Sequence, residues 1–480
     1  MSENALAQVL LGHGRQAPQS VAIIDEAGRT HTYGELLDRS ARFANALVAR
    51  GLQPGDRVAV QTGKSVDLVA LHLGVIRAGG VYLPLNSAYT DREVCGLLDD
   101  AQPVLIVRDE DLEHPTPRLA MPEITALADA ASSAFEDVGR TPADPAAILY
   151  TSGTTGKPKG AVLSHANLAA GAQTLVREWG FTTEDALLHI LPLFHIHGLF
   201  VALYCALASG SRVLLVDRFD PAEVVRRLPD ATVLMGVPTH YTRLLAYPGF
   251  DRAATAHMRL FTSGSAPMLV ATHEEFTERT GHTILERYGM TETGMLTSNP
   301  LHGTRKPGTV GPPLPGVELR LDGGNPGGIE VRGPNVFSGY WNRPDLATVE
   351  FTADGWFRTG DVGQIDADGY VEIVGRSKDL IISGGLNVYP KEVEMMIDDL
   401  AGVAESAVIG VPHPDFGEAV LAVVVLEPGS ALTAADIIAA AREQLASFKA
   451  PKRVEIVAAL PRNTMGKVEK AKLRQTYAQA

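Results

Sequence analysis

The sequence predicts an α/β protein: a large N-terminal domain of stacked, mostly parallel sheets with helices, a small β subdomain, and a small α+β C-terminal domain. Three observations predict it. Short β-branched runs alternate with helically spaced apolar residues through most of the chain, the pattern of parallel sheets with covering helices. The texture then turns Gly- and Pro-rich after about residue 308, and changes again near residues 375–379. Finally, the 480 residues are 45% hydrophobic and 20% charged, enough to bury a sizeable core. At about 100–200 residues per domain, that length suggests roughly two to four domains.

Taken in order, residues 57–61 read as a strand, and residues 67–77 as a helix with Leu68, Leu71 and Val75 on one face and Gly79-Gly80 as its stop. Residues 81–84 and 104–107 read as strands. Residues 199–216 form the most apolar long stretch. Ser209, Gly210, Ser211 and Arg212 interrupt it, so it reads as a helix followed by a strand rather than a membrane span. Residues 212–216, 231–235 and 260–263 look like buried strands ending in Gly, Pro or Ser, and catalytic loops commonly follow such carboxyl ends. Residues 311–332 carry short alternating runs, the mark of an all-β subdomain spanning about 308–375. Beyond it come a helix at 390–399, strands near 404–411 and 420–426, and a helix from about 434 to 448. Thr433 with Asp436 has the spacing of a capping box at that helix's start. The domains are expected at 1–377 and 378–480.

Composition excludes several classes. The 42 Lys+Arg against 56 Asp+Glu give a net charge of −14, which argues against nucleic acid or an anionic membrane as partner. The two cysteines, Cys95 and Cys205, lie in apolar runs without a CxxC spacing, so neither a disulfide scaffold nor a thiolate zinc site is indicated. The N-terminus lacks a basic start and long apolar core, and a cytoplasmic location is expected.

The most informative segment is Tyr150-Thr151-Ser152-Gly153-Thr154-Thr155-Gly156-Lys157-Pro158-Lys159-Gly160, set between apolar runs at 147–150 and 161–163. Its glycines let backbone N–H groups converge on an anion; its hydroxyls add donors and its lysines charge. Pro158 after Lys157 excludes a Walker loop, which requires a hydroxyl there. The string resembles the phosphate loop of the adenylate-forming superfamily, which includes acyl-CoA synthetases, peptide adenylation domains and firefly luciferase. Five further segments match that family in order: Ser263-Gly264-Ser265-Ala266-Pro267, Tyr288-Gly289-Met290-Thr291-Glu292, Trp356-Phe357-Arg358-Thr359-Gly360-Asp361, Gly375-Arg376-Ser377-Lys378-Asp379, and Pro461-Arg462-Asn463-Thr464-Met465-Gly466-Lys467.

The resemblance implies ATP, Mg²⁺ and coenzyme A. A carboxylate attacks the α-phosphate of ATP, and a thiol then displaces AMP from the acyl-adenylate. By the same resemblance, residues 151–159 grip the phosphates, Glu292 with Thr151 meets the metal, and Gly264, Ser265, Ala266 and Pro267 line the adenine side. Tyr288 stacks on the base within Glu286–Thr291, and Asp361 and Arg376 meet the ribose. Lys467, His195, Glu292 and Thr151 are the catalytic candidates. The C-terminal domain is expected to be mobile about Lys378, with Gly384 and Gly385 bare beside the thiol channel. Lys467 is also a candidate target for a protein acetyltransferase.

The acyl side carries less familiar residues. Arg287, just before Tyr288, faces an expectedly apolar pocket, where a guanidinium is costly unless paired. A second carboxylate on the substrate supplies that partner. His195-Ile196-His197-Gly198 adds His197 to the pocket, with Ile196, Met295 and Ser265 beside the acyl chain. Together these resemble the malonate-activating branch of the family, so a short diacid, malonate or methylmalonate, is the expected substrate. Alternatives stay open: Arg287 pairs with Glu286 and the acid is a short, medium-chain or aromatic monoacid; the substrate is an amino acid; the chain is a luciferase-like oxidase; or it binds adenylate without catalysis.

Overall fold

The structure is a computed structural model that describes residues 4–151, 158–383, 386–413, 417–445, 447–463 and 466–477. By packing, the chain divides into two compact units, residues 1–318 with 331–357, and residues 319–330 with 358–480.

The first unit holds two sheets. In the six-stranded sheet, Arg57–Gln61, Val81–Pro84, Leu105–Arg108 and Pro145–Thr151 run parallel, and Lys159–Ser164 returns antiparallel to the last of them. The strands are buried along nearly their whole length, as strands covered on both faces must be. In the eight-stranded sheet, Ala186–His189, Arg212–Leu215, Val233–Gly236, Leu260–Ser263 and Leu285–Met290 run parallel, with Gly294–Ser298 folded back on the last.

Helix Val66–Arg77 shows why the helices pack as they do. Every residue from Leu68 to Arg77 is buried, so it is covered all round rather than on one face. Its Gly74 lets the backbone of helix Tyr33–Ala49 close in: an added Cβ would lie 2.8 Å from Cβ of Phe43 and 3.0 Å from the Ser40 carbonyl oxygen. The apolar stretch at 199–216 resolves into a π-helix His197–Leu203, helix Tyr204–Ser209 and strand Arg212–Leu215. The helix–strand order matches the sequence reading, while the wide first turn does not follow from hydropathy.

In the second unit, Glu318–Asp322, Gly327–Arg332, Phe357–Ile365 and Val371–Arg376 form a four-stranded sheet. Packing therefore splits the expected β subdomain, placing residues 319–330 and 358–375 with the C-terminal part and the rest with the first unit. The division expected at 377/378 does not coincide with this grouping by contact. Downstream, Val403–His413 and Gly417–Leu426 pair antiparallel and Arg453–Ile456 joins in parallel. Val408, Val420 and Ala422 pack on one face with Val393, Ile397 and Ile437, and Ala407, Ile409 and Leu421 on the other with Leu460 and Leu473. Helix Ala434–Gln444 opens with the expected capping box, Thr433 and Asp436 each bonding the other's backbone N–H. Among the described residues, no helix is long and apolar enough to cross a membrane.

Candidate active site

The carboxyl ends of the parallel strands in the eight-stranded sheet bring the acyl-side candidates together, as open α/β sheets generally do. Arg287 sits on strand Leu285–Met290 and is 3% exposed. Its Nε and Nη2 are buried without a hydrogen-bond partner, and no described carboxylate pairs with it. Burial pushes its pKa down to about 10, with the Tyr241 phenol and Cys205 thiol acting in the opposite direction. Glu286, the alternative partner, accepts from the Gly308 N–H (3.0 Å), and successive strand residues point to opposite faces.

Gly264 explains how the guanidinium fits. A Cβ there would lie 2.2 Å from Nη1 and 2.5 Å from Cζ of Arg287, so the backbone after strand Leu260–Ser263 lies flush against the charge. The next residue, Ser265, has φ +68°, a left-handed conformation that non-glycine residues seldom take. Its hydroxyl meets His197 Nδ1 at 3.3 Å.

Histidines surround this charge. His197 is 1% exposed, and its Nε2 has no partner among the described residues. Burial, then repulsion from Arg287 and from His195, holds its pKa well below 6.5. Burial and Arg287 lower His195 to about 4, and its Nδ1 accepts from the His197 N–H (3.3 Å). His189 Nε2 meets the Gly198 carbonyl oxygen at 2.8 Å. Gly198 itself has no room for a side chain, since a Cβ would fall 2.0 Å from the Pro192 carbonyl oxygen. The chamber thus combines one fixed cation with neutral imidazoles. Ile196 and Met295, both nearly fully buried, line a small apolar void of about 20 Å³ with Leu175 and Phe200.

The phosphate-side candidates are less fully described. Ser152, Gly153, Thr154, Thr155, Gly156, Lys157, Gly384 and Gly385 lie outside the described residues. Thr151 ends its strand with Oγ1 3.4 Å from Glu292 Oε1. Tyr340 donates to the same oxygen (2.9 Å). Lys159 is 6% exposed, bonds Glu350 (2.8 Å) and lies 5.1 Å from the Tyr340 ring centroid. Its ammonium is thus engaged by the protein. Glu292 offers a hard carboxylate oxygen with a hydroxyl beside it, a donor set suited to Mg²⁺ that also keeps phosphate and water ligands. Tyr288, Gly289, Met290 and Thr291 are partly buried around the hairpin to Gly294–Ser298, where a Cβ on Gly289 would lie 1.9 Å from the Gly294 carbonyl oxygen. Ala266 is partly buried and Pro267 exposed.

In the second unit, Asp361 and Arg376 are cross-strand neighbours and pair at 3.0 Å. Lys467 keeps solvent access, and its backbone N–H bonds Asn463 Oδ1 (2.9 Å). Partial withdrawal from water and nearby Arg376 and Lys378 lower its pKa to about 8, while Asp361 and Asp379 act the other way. Lys470 pairs with Glu394. Lys378 is partly withdrawn from water, which lowers its pKa.

Sequence reasoning missed Tyr340, His189, His240 and Lys64. His240 stacks on Phe219 (4.2 Å) beside a cavity of about 350 Å³ that Lys64, Tyr82 and Phe194 also line. A lysine just after an apolar strand was the one available signal for Lys64.

Two outcomes are expected. Gly264→Ala will displace Arg287 and raise KM for the acid substrate at least about tenfold, with KM for ATP changed far less; steady-state kinetics checks it. The buried histidines also set an acid limit. His72 and His189 are lowered to about 3, and His165 and His240 to about 4, chiefly by burial. Their contribution is complete above 6.5, the ordinary value, and is lost as pH falls toward 4, because the unfolded chain then binds protons that the folded unit refuses. Thermal melts should hold level above pH 6.5 and drop steadily between 6.5 and 4.

Comparisons with known proteins agree with this geometry. Two family models match: AMP-binding enzyme over residues 12–341, and AMP-binding enzyme C-terminal domain over residues 392–467. The crystal structure of ATP-bound MatB from Rhodopseudomonas palustris is 50% identical, with a TM-score of 0.95 over 100% of this chain and 99% of that one. The mitochondrial malonate–CoA ligase ACSF3 of Mus musculus is 37% identical, over 95% of this chain and 88% of its own length. A feruloyl-CoA synthase of an Amycolatopsis species is 35% identical, over 99% and 100%. With the two family models matching in order over residues 12–341 and 392–467, the chain belongs to the AMP-binding enzymes.

Proposed function

We propose that the chain is an ATP-dependent, AMP-forming acid–thiol ligase that joins malonate, and also methylmalonate, to coenzyme A. The observation that carries the substrate is the Arg287 guanidinium, buried with two unbonded nitrogens beside neutral histidines. Relatives at similar identity carry the names of a diacid and of an aromatic substrate, and the chamber separates the two by chemistry. An aromatic or aliphatic monoacid would leave that cation unpaired. A diacid brings a carboxylate to it.

In the first half-reaction, one carboxylate oxygen of the diacid attacks the α-phosphorus of ATP, and the bond to pyrophosphate breaks. Arg287, with His197 and Ser265 beside it, holds the distal carboxylate. His195 borders the reacting end, and Ile196 and Met295 bound the central carbon. Bringing two anions together calls for charge neutralisation and alignment more than proton transfer. Glu292 and Thr151 would hold Mg²⁺, which screens the phosphates. Tyr288 and residues 264–267 take the adenine, and Asp361 and Arg376 the ribose. Lys467 supplies mobile positive charge for this step. In the second half-reaction the thiol sulfur attacks the acyl carbon and AMP leaves. The C-terminal domain moving about Lys378 between the steps, acetylation of Lys467, and a cytoplasmic location belong to the same reading.

Two measurements test it. Wild-type enzyme should release pyrophosphate with malonate at a kcat/KM about 10⁴-fold or more above that with propionate, because a site built for a polar group rejects the analogue lacking it. Arg287→Ala should remove most of that ratio; a wild-type preference for propionate would refute the diacid reading. Lys467→Ala should lose nearly all adenylate formation yet keep thioester formation from supplied malonyl-adenylate. In wild type, adenylate formation alone should decline as pH rises through about 8, where the Lys467 ammonium loses its proton.

A further inference from the structure

We infer that Lys64 is a positioning residue for the acid-binding chamber: its ammonium ties together the chain segments that carry His195 and His197. Lys64 follows strand Arg57–Gln61 of the six-stranded sheet and precedes Ser65, the N-cap of helix Val66–Arg77. Its Nζ donates to three backbone carbonyl oxygens of the other sheet: His189 (2.7 Å), Leu191 (2.9 Å) and Val216 (2.6 Å). His189 ends strand Ala186–His189, and Val216 directly follows the neighbouring strand Arg212–Leu215. Leu191 lies in the turn from His189 to His195.

An ammonium has three N–H donors and no acceptor, so these three carbonyls saturate it. All three donors are spent on the protein, which leaves the lysine no free capacity for direct substrate binding. Ion pairing does not account for the placement: Asp217 and Glu26 act on the charge only at a distance, while withdrawal from water lowers its pKa to about 7. The His189 carbonyl oxygen also accepts from the Val216 N–H (3.3 Å), so a charged donor shared among His189, Leu191 and Val216 reinforces that join and fixes two strand ends and a turn at once. The same turn continues to Pro192, whose carbonyl touches the bare backbone of Gly198, and to His195, whose Nδ1 takes the His197 N–H. Register is thereby passed from Lys64 to the imidazoles facing Arg287. Its positive charge also helps keep His189 and His240 neutral.

This inference rests on His197 and Arg287 receiving the acid, as proposed above. Its test uses whichever acid wild type turns over best, so it is independent of the diacid's identity. Lys64→Met keeps the stem and removes the charge. We expect KM for the acid to rise about tenfold or more, KM for ATP to stay within about twofold, and kcat to fall less than KM rises. Lys64→Cys should behave alike, and alkylation with 2-bromoethylamine, which restores an ammonium at nearly the same reach, should return most of the lost affinity within the same folded chain. Wild type treated identically controls for Cys95 and Cys205. An unchanged KM for the acid in both variants, equal losses toward acid and ATP, or no recovery on aminoethylation of a variant that melts as wild type would each overturn the assignment.

Discussion

A guanidinium held out of water without an anion beside it is the constraint around which the first unit is arranged. Such a group is costly to bury, and nearby protein acids would normally be recruited to offset it. Here its carboxylate neighbour in sequence, Glu286, is turned to the other face of the strand and engaged by the Gly308 backbone. His195 and His197, which Arg287 also acts on, are held neutral chiefly by burial, so they add polarity to the chamber without competing for the charge. Two nitrogens of the guanidinium thus have no hydrogen-bond partner among the described residues.

That arrangement demands backbone where side chains would normally stand. Gly264 and Gly198 each occupy a place where one methyl group would collide with a guanidinium or a carbonyl. The positive φ of Ser265 turns its hydroxyl toward His197 at the cost of local strain. Lys64 completes the frame from the opposite sheet. Two cations therefore serve one chamber in different ways, Arg287 facing its interior and Lys64 bonded wholly to its scaffold.

The nucleotide side follows another logic. Glu292 accepts from two hydroxyls at one carboxylate oxygen, those of Thr151 and Tyr340. Lys159, which composition alone assigns to phosphate, is drawn to Glu350 and the Tyr340 ring. In the second unit, Lys467 belongs to a short turn tied by Asn463 and followed by a helix whose first residue, Lys470, pairs with Glu394. Partly withdrawn from water and with Arg376 and Lys378 nearby, the Lys467 ammonium gives up its proton more readily.

Much of this was legible without coordinates. Alternating apolar runs announced the parallel sheets because a strand covered on both faces has to be apolar along its length, and the Thr433 capping box announced its helix because that spacing satisfies two backbone donors. The motifs carried the resemblance to the family, and both family models match the chain. The mismatch of Arg287 with an apolar pocket was readable as well. Only the tertiary structure decided that Glu286 turns away, that Lys159 is engaged by Glu350, that glycine is required at 264 by a neighbour 23 residues on, and that Lys64 bridges two sheets. The Lys64 bridge in particular depends on which strand ends meet across more than a hundred residues of chain, and no local pattern of residues encodes that distance.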